Sequence, residues 1–259
     1  MKFNKDSFEL LLFTTNINIA KECLQAGVDA IIIDWENKGK NERQSGYPTQ
    51  INYDTVDDLI NMRKNISGKI ICRINKFNHE YSAAEIDLAI NSGADEIFLP
   101  MVEDKSEVNN ALELVNNRCK MGILIETDSA VQKVETFNNL PLSRVYVGLN
   151  DLQISRKSAN MFLPLVDDTV RTVKSTFKNI PVGVGGMTHP DEGYPIPAKL
   201  LIQQYINLDI NFSFLRRAFL KDLQIYGADK LVSEIRNSLQ QIKPTTVSET
   251  NEQLRSFLD

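Results

Sequence analysis

Short runs of apolar residues recur along the whole chain, at intervals typical of strands that alternate with helices. Eight runs rich in Ile, Val, Leu and Phe predict β-strands at Phe8–Thr15, Ala30–Trp35, Lys69–Asn75, Glu96–Val102, Met121–Glu126, Arg144–Leu149, Ile180–Gly185 and Asn211–Arg217. Most segments between them carry apolar residues at helical spacing, such as Val56, Leu59 and Ile60 before the third run. The pattern predicts strand and helix in alternation throughout.

Turn residues separate the predicted helices from the strands that follow. Gly27 and Gly93 each come after a helical stretch and before an Asp and an apolar run, where a left-handed Gly commonly ends a helix. Eight such units favour a closed (β/α)₈ TIM barrel over an open doubly wound sheet. We predict a single-domain α/β barrel over residues 1–243 and a polar tail over residues 244–259, either loose or strapped onto a neighbouring subunit.

Composition and charge narrow the class of protein. The 259 residues, 42% of them apolar, suffice for one large core. The 29 basic and 34 acidic residues are mixed without a Lys/Arg block, which argues against nucleic acid as a partner. The three cysteines lack a C-x-x-C spacing, so they favour a reducing cytoplasm over a disulfide framework or structural zinc. No apolar stretch approaches the roughly 20 residues of a membrane span, so we expect a soluble, cytoplasmic protein.

Polar residues cluster where the predicted strands end, and in a TIM barrel this edge carries the chemistry. The residues in these positions are Asp34, Glu36, Asn37, Arg73, Asn75, Glu126, Thr127, Asn150, Asp151, Gly185 to His189, Arg216 and Arg217.

Glu126 and Asp151 are the candidate metal ligands, because each follows a buried run and their carboxylates would converge at the barrel mouth. Hard oxygen ligands suit Mg²⁺ or Mn²⁺, and zinc is disfavoured without nearby His or Cys. The alternative is that each carboxylate caps a following helix. The rarity of unpaired acids in a barrel mouth favours the metal.

Arg73 is the candidate for stabilising negative charge. Strand alternation places Arg73 and Asn75 on one face, and a guanidinium there can fork onto a carboxylate or a developing enolate oxygen. Asp34 and Glu36 also share a face, and they either bind a metal-held water, orient Arg73 or simply neutralise it. A catalytic Arg73 and a structural ion pair with Asp34 or Glu36 can hold at once.

Three further residues are weaker candidates. Gly186 lies in a turn that either approaches a ligand closely or is a plain tight turn. His189 is the sole histidine at this rim and would titrate near neutrality, unless it is a surface residue. Arg216 and Arg217 point to opposite faces of the last strand, so only one of them can face a substrate in the mouth.

The order of these segments resembles the HpcH/HpaI aldolase and citrate lyase beta-subunit family, whose members act on phosphoenolpyruvate or pyruvate. The resemblance runs from about Ala20 to Asp151 and rests on Gly27–Glu36, Cys72–Asn75, Gly93–Val102, Ile125–Thr127 and Gly148–Leu152. It implies a (β/α)₈ barrel that is commonly oligomeric, Mg²⁺ or Mn²⁺ on Glu126 and Asp151, and Arg73 as the substrate arginine. It also implies that the backbone amides of Asn150 and Asp151 hold a pyruvate carboxylate.

Two departures from the family separate this chain from its branches. In the aldolase branch the second strand ends in Asp-x-Glu-His and the His transfers a proton, whereas Asn37 stands here. The citrate lyase branch usually has a basic residue at the end of its first strand, whereas Thr14, Thr15 and Asn16 stand here. Ordinary coenzyme A thioester chemistry is therefore not expected.

The sequence thus predicts a homo-oligomeric, metal-dependent carbon–carbon lyase or aldolase that works through the enolate of a 2-oxo acid such as pyruvate. The base is a metal-held water, Glu36 or His189. One alternative is a citrate-lyase-like acyl lyase. Another is a metal-binding homologue without catalysis, because the proton-transfer His is absent.

Overall fold

The strands form a closed barrel in which each is parallel to the next, and β8 closes the ring onto β1. The computed structural model describes residues 7–39 and 52–258. Its strands are β1 Glu9–Phe13, β2 Ala30–Asp34, β3 Lys69–Arg73, β4 Glu96–Leu99, β5 Lys120–Ile125, β6 Val145–Val147, β7 Val182–Val184 and β8 Phe212–Phe214. The predicted (β/α)₈ TIM barrel is confirmed, and each strand lies inside the run that predicted it except β5, which begins one residue earlier, at Lys120.

The described ranges contain eleven α-helices around this barrel. They are α1 Ile17–Ala26, α2 Val56–Asn65, α3 Ser82–Asn91, α4 Lys105–Val115, α5 Asp128–Gln132, α6 Leu149–Arg156, α7 Thr169–Thr176, α8 Ala198–Asn207, α9 Arg217–Tyr226, α10 Ala228–Gln241 and α11 Val247–Arg255. None of these helices has the length and apolar character needed to cross a membrane.

The repeated Gly-x-Asp segments end helices and fix strands at the same time. Gly27 and Gly93 take φ angles of 108° and 104°, the left-handed conformation that glycine adopts without penalty. The carboxylate of Asp29 accepts the backbone N–H of Leu10 at 2.6 Å. The carboxylate of Asp95 accepts the N–H of Ile70 at 2.8 Å. Each Asp therefore ties the start of its own strand to a neighbouring strand.

Aromatic rings fill the lumen of the barrel, and Gly183 of β7 makes room for them. The rings of Tyr146 and Phe214 stack with centroids 3.7 Å apart and an angle of 12° between their planes. Phe212 lies against Gly183, where a Cβ atom would come within 2.3 Å of the phenyl ring. The large inward side chains of β6 and β8 thus lie on either side of β7, which has no inward side chain at Gly183.

Charged residues close the lower, N-terminal end of the barrel. Arg144 donates from Nε to Oε1 of the buried Glu96 at 2.9 Å and also pairs with Glu9. Lys69 Nζ lies 3.8 Å from Glu9 and 3.9 Å from Glu96. Since the active sites of such barrels lie at the opposite, C-terminal end, we assign this network a structural role.

The segment after Pro244 differs from the predicted tail, because it contains helix α11 packed on the same chain. A capping box between Thr246 and Glu249 starts this helix, and Leu254 is fully buried. Gln204 of α8 donates to Asn251 at 2.8 Å, and Arg255 donates to the carbonyl of Val166 at 2.9 Å. The amphipathic pattern and the N-terminal capping box thus produce a packed helix in a segment of polar composition.

We expect Gly183→Ala to lower the free energy of unfolding by about 1–3 kcal/mol, because the new methyl group overpacks the lumen against Phe212. Denaturant titration measures this loss. In a Phe212→Ala background, where the ring is gone, the same substitution should cost little. An equal loss in both backgrounds would contradict the packing explanation.

Candidate functional site

Arg73 is held at the mouth by a bidentate ion pair with Asp34, the residue directly opposite it in the β2–β3 register. Nε donates to Oδ1 at 2.8 Å and Nη2 donates to Oδ2 at 2.7 Å. Nη1 also lies 3.3 Å from Oε2 of Glu36. Burial opposes the positive charge, but Asp34 and Glu36 outweigh it and raise the pKa of Arg73 further. The guanidinium is therefore a permanent cation in a fixed orientation.

A segment that sequence patterns did not single out supports Asp34 from the other side. Asn52 donates to Oδ2 of Asp34 at 3.0 Å, and the backbone N–H of Asp34 donates to Asp54 at 2.8 Å. Burial, with the nearby charges of Asp34 and Asp58, raises the pKa of Asp54 to about 6. These residues follow no predicted strand, so no pattern pointed to them.

Glu126 lies at the end of β5 as a buried carboxylate, with 2% of its surface exposed. Its Oε2 accepts the backbone N–H of Met101 at 3.0 Å, and Met101 takes a left-handed φ of 54° in making this contact. Burial raises the pKa of Glu126 to about 8, and the charges of Asp151 and Glu36 add to the effect. The charge of Asp151 thus acts on Glu126, and the predicted metal site at these two carboxylates stays a prediction.

Asp151 reaches this place from the first turn of α6, not from the end of β6. Gly148 precedes that turn and packs directly on Glu126, where a Cβ atom would lie 2.4 Å from Cγ and 2.6 Å from Oε1. A larger residue at 148 would push α6 away from β5. Gly148 also has no side chain to cap the first turn, whose backbone N–H groups include those of Asn150 and Asp151.

The donor set of this site fits a hard divalent cation. Among the described residues, no group of three or more His, Cys, Asp or Glu side chains is arranged to hold a metal. Mg²⁺, however, commonly takes one or two protein carboxylates and completes its shell with water and substrate oxygens. Glu126 and Asp151 supply such a pair, and a cation between them would offset the buried charge that raises the pKa of Glu126.

Asn75 holds the loop after β2, in which Asn37 stands. Its Oδ1 accepts the backbone N–H groups of Asn37 at 3.0 Å and Lys38 at 2.8 Å. Its Nδ2 donates to Glu85 at 2.5 Å. Lys38 in turn lies 3.3 Å above the ring of Tyr81. Asn75 therefore acts on the backbone of this loop, which positions Glu36 and Asn37 at the mouth.

His189 lies with residues of the outer helices. Its Nε2 contacts Glu234 of α10, its ring stacks on Tyr226 at 4.2 Å, and its Nδ1 accepts the N–H of Asp191 at 3.3 Å. The structure thus brings His189 to Glu234 and Tyr226 and does not bring it to the cluster of Arg73 and the carboxylates.

Gly186 and Arg216 form one unit in the loop after β7. Gly186 has a φ of 122°, and its carbonyl accepts from Nε of Arg216 at 2.7 Å. Nη2 of Arg216 is buried without a hydrogen-bond partner among residues 7–39 and 52–258. Arg217 opens α9, and burial together with the positive charge of Arg73 lowers its pKa.

Comparison with known proteins gives a match to a family model and matches to solved structures. The model of the HpcH/HpaI aldolase/citrate lyase family matches residues 9–160. The HpcH/HpaI aldolase from Desulfitobacterium hafniense DCB-2 is 15% identical, with a TM-score of 0.59 over 94% of this chain and 98% of that one. A search of curated protein sequences gives no significant match.

Citrate lyase beta-subunit structures from Mycobacterium tuberculosis are similar as well. The complex with oxaloacetate and magnesium is 13% identical, with a TM-score of 0.61 over 91% of this chain and 98% of that one. A CitE complex with magnesium, acetoacetate and coenzyme A is 11% identical, with a TM-score of 0.63 over 92% and 83% of the two chains. At these identities the structural matches show a shared fold.

We expect the free energy of unfolding of the metal-free protein to fall as pH rises from 4.5 to about 8. Folding raises the pKa of Glu126, so the folded state holds a proton that the unfolded state has released, and this stabilisation disappears as Glu126 ionises. Denaturant titrations with EDTA across this pH range measure the slope. Glu126→Gln should flatten it, whereas the exposed control Glu252→Gln should leave it unchanged. An equal slope in the wild type and Glu126→Gln would rule out Glu126 as the source.

Proposed function

Because the chain belongs to the HpcH/HpaI aldolase/citrate lyase family, we propose that it is a divalent-metal-dependent carbon–carbon lyase acting through the enolate of a 2-oxo acid such as pyruvate. One observation carries this proposal: an oriented Arg73 shares the barrel mouth with the buried carboxylates Glu126 and Asp151. Similar structures solved with magnesium and oxaloacetate support it.

Glu126 and Asp151 would hold Mg²⁺ at the mouth. A bound Mg²⁺ supplies a Lewis acid that stabilises negative charge on the oxygens of a 2-oxo acid. Glu126 must lose its proton to serve as a ligand, and its raised pKa of about 8 makes that step favourable only when a cation compensates the charge. Apparent metal affinity should therefore increase with pH up to that value.

Arg73 stabilises the charge that appears on the enolate oxygen when the carbon–carbon bond breaks. The contacts with Asp34 and Glu36 use only part of its N–H groups, so others stay available for an oxyanion. Both carboxylate oxygens of Asp34 are occupied by this arginine. We therefore assign Asp34 to positioning Arg73 and not to direct substrate binding.

The first turn of α6 suits the carboxylate of the substrate. The backbone amides of Asn150 and Asp151 lie at the positive end of that helix, and no side chain of Gly148 caps them. An anionic group bound there would lie next to Glu126, because Gly148 packs against that side chain. The position agrees with a substrate that spans the metal ligands and the helix terminus.

Glu36 is the residue we assign to proton transfer. The amide of Asn37 cannot act as an acid or base, and His189 contacts Glu234 outside the cluster. Glu36 is 2% exposed, pairs with Arg73, and adds to the raised pKa of Glu126. Glu36 is therefore a carboxylate beside Arg73 and Glu126 that has no assigned role as a metal ligand.

No observation favours acyl chemistry with coenzyme A. The end of β1 carries uncharged residues that serve the backbone: Thr14 accepts the N–H of Asn16 at 3.1 Å, and Asn16 caps α1. The described segment from Thr14 to Asn16 contains no basic residue that could bind the phosphate groups of coenzyme A.

Exchange of the methyl protons of pyruvate in D₂O, followed by NMR, tests the proposal. We expect Mg²⁺-dependent exchange that stops when EDTA is added, because exchange requires the enolate. A protein that binds Mg²⁺ and pyruvate without any exchange would instead be a metal-binding homologue without catalysis.

We expect Glu126→Gln and Asp151→Asn each to weaken Mn²⁺ binding by more than about 100-fold, since even residues beyond the direct ligands cost 10–100-fold. Calorimetric titration measures the affinity, and circular dichroism checks that the barrel remains folded. Glu252→Gln is the matched control on the exposed face of α11. Unchanged affinity in both site variants would remove the metal site from this position.

We expect Arg73→Lys to slow pyruvate proton exchange by about 10²–10³-fold, because an ammonium group cannot supply the planar fork. Its melting temperature should stay close to that of the wild type, since the charge beside Asp34 is kept. Arg73→Met is the contrast: it leaves Asp34 buried and unpaired and should lower the melting temperature strongly. Normal exchange in Arg73→Lys would limit Arg73 to a structural role.

A further inference from the structure

Tyr146 is a buried aromatic residue of β6 whose side chain reaches towards the mouth of the barrel. Its backbone is level with Gly183 in the β6–β7 register. Its hydroxyl, however, lies beside Gly185, the residue that follows β7, where a Cβ atom would come within 2.2 Å of it. Because parallel strands all run towards the mouth, the hydroxyl points in that direction and the ring forms the floor beneath it.

The ring is fixed by packing, but the hydroxyl is not used by the fold. The stack on Phe214, with centroids 3.7 Å apart, holds the ring plane. Among the described residues, none accepts a hydrogen bond from the Tyr146 hydroxyl. The neighbouring Tyr205 differs, since its hydroxyl donates to the carbonyl of Gly185 at 2.5 Å. Tyr146 is 7% exposed, and its hydroxyl is not among the buried polar atoms that lack a hydrogen-bond partner. A tyrosine hydroxyl in such a position normally finds a partner, and a ligand at the mouth can supply one.

The groups whose charges act on the Tyr146 hydroxyl include Glu126, Arg73 and Asp151 of the proposed active site. Burial raises the pKa of Tyr146, Tyr205 and Glu126 raise it further, Arg73 lowers it, and Asp151 raises it. The phenol is consequently neutral and keeps its proton at working pH. It can donate a hydrogen bond but cannot act as a base.

We propose that Tyr146 contacts the substrate, donating a hydrogen bond from its hydroxyl to the keto oxygen of the bound 2-oxo acid, the oxygen that carries the enolate charge. This inference rests on the proposed function and extends it to a residue outside the charged cluster. A preorganised neutral donor aimed at a developing oxyanion stabilises it without the desolvation cost of another charge.

Gly185 is part of the same arrangement. An alanine there would collide with the hydroxyl, whereas the ring carbon that bears it would lie at 3.4 Å, an ordinary contact distance. The absence of a side chain at position 185 therefore makes room for the oxygen atom of Tyr146 specifically. A phenylalanine at 146 would not need that space.

Tyr146→Phe tests the proposal, because it removes the hydroxyl and keeps the ring stack. The probes are oxalate, a planar analogue of the pyruvate enolate, titrated calorimetrically in the presence of Mg²⁺, and the exchange of pyruvate methyl protons. We expect oxalate affinity to fall about tenfold, as for loss of one hydrogen bond, and exchange to slow about 10²-fold. The melting temperature and the affinity for Mg²⁺ alone should stay unchanged.

Two further variants separate a substrate contact from a structural role. Tyr205→Phe loses a neighbouring buried hydroxyl, and we expect a lower melting temperature with oxalate affinity retained. Gly185→Ala should weaken oxalate binding by displacing the hydroxyl of Tyr146, and it should add no further loss in the Tyr146→Phe background. Additive losses in that double variant would contradict the proposal.

The outcomes distinguish this inference from the function on which it rests. A wild-type protein that neither binds oxalate with Mg²⁺ nor exchanges pyruvate protons would overturn both. A wild-type protein that does both, alongside a Tyr146→Phe variant with the same affinity and exchange rate, would overturn the role of Tyr146 and leave the proposed function standing.

Discussion

The buried ion pair between Asp34 and Arg73 is the interaction on which the organisation of the mouth depends. It joins the ends of β2 and β3, orients the guanidinium through two hydrogen bonds, and leaves Glu36 to contact the remaining nitrogen. Removing one partner of such a pair costs about 3–5 kcal/mol, because the other charge stays buried. The same contact that stabilises the barrel therefore orients Arg73 at the mouth, where the charge of Glu126 also acts on it. Under the proposed function, Arg73 would combine this structural role with a chemical one.

Small residues let the rest of the mouth approach this pair. Gly148 allows the first turn of α6 to touch Glu126, so that Asp151 arrives beside it from a helix. Gly183 of β7 and Gly185 directly after it have no side chains, and the ring of Phe212 and the hydroxyl of Tyr146 occupy the space. The stack of Tyr146 on Phe214 and the close packing of the lumen restrict the ring of Tyr146 to one orientation. The barrel thus combines a rigid aromatic floor with a charged rim.

The period of the apolar residues predicted the barrel, and the polar residues at the ends of the predicted strands indicated which side chains lie at its mouth. Both depend on local alternation along a strand. The place of Asp34, Arg73 and Glu126 follows from the two-residue period of a strand. Asp151 lies near Glu126 because the first turn of α6 places it there, and a strand pattern does not predict the position of a residue in a helix. His189 lies beyond the strand end, where loop geometry and not periodicity decides the direction of a side chain. Asp54 has no strand-end signal at all, since it contacts Asp34 from 20 positions further along the chain. Tyr146 was hidden within an apolar run, although alternation places it on the inward face with Arg144.

A crystal soaked with Mn²⁺ and oxalate gives the most direct measurement of the central claim, because the anomalous signal of manganese locates the ion without assumptions about the protein. The ion is expected between the carboxylates of Glu126 and Asp151, with oxalate completing its shell and one oxalate oxygen facing Arg73 and Tyr146. A manganese peak elsewhere, or oxalate bound at the mouth with no manganese beside those two carboxylates, would contradict it.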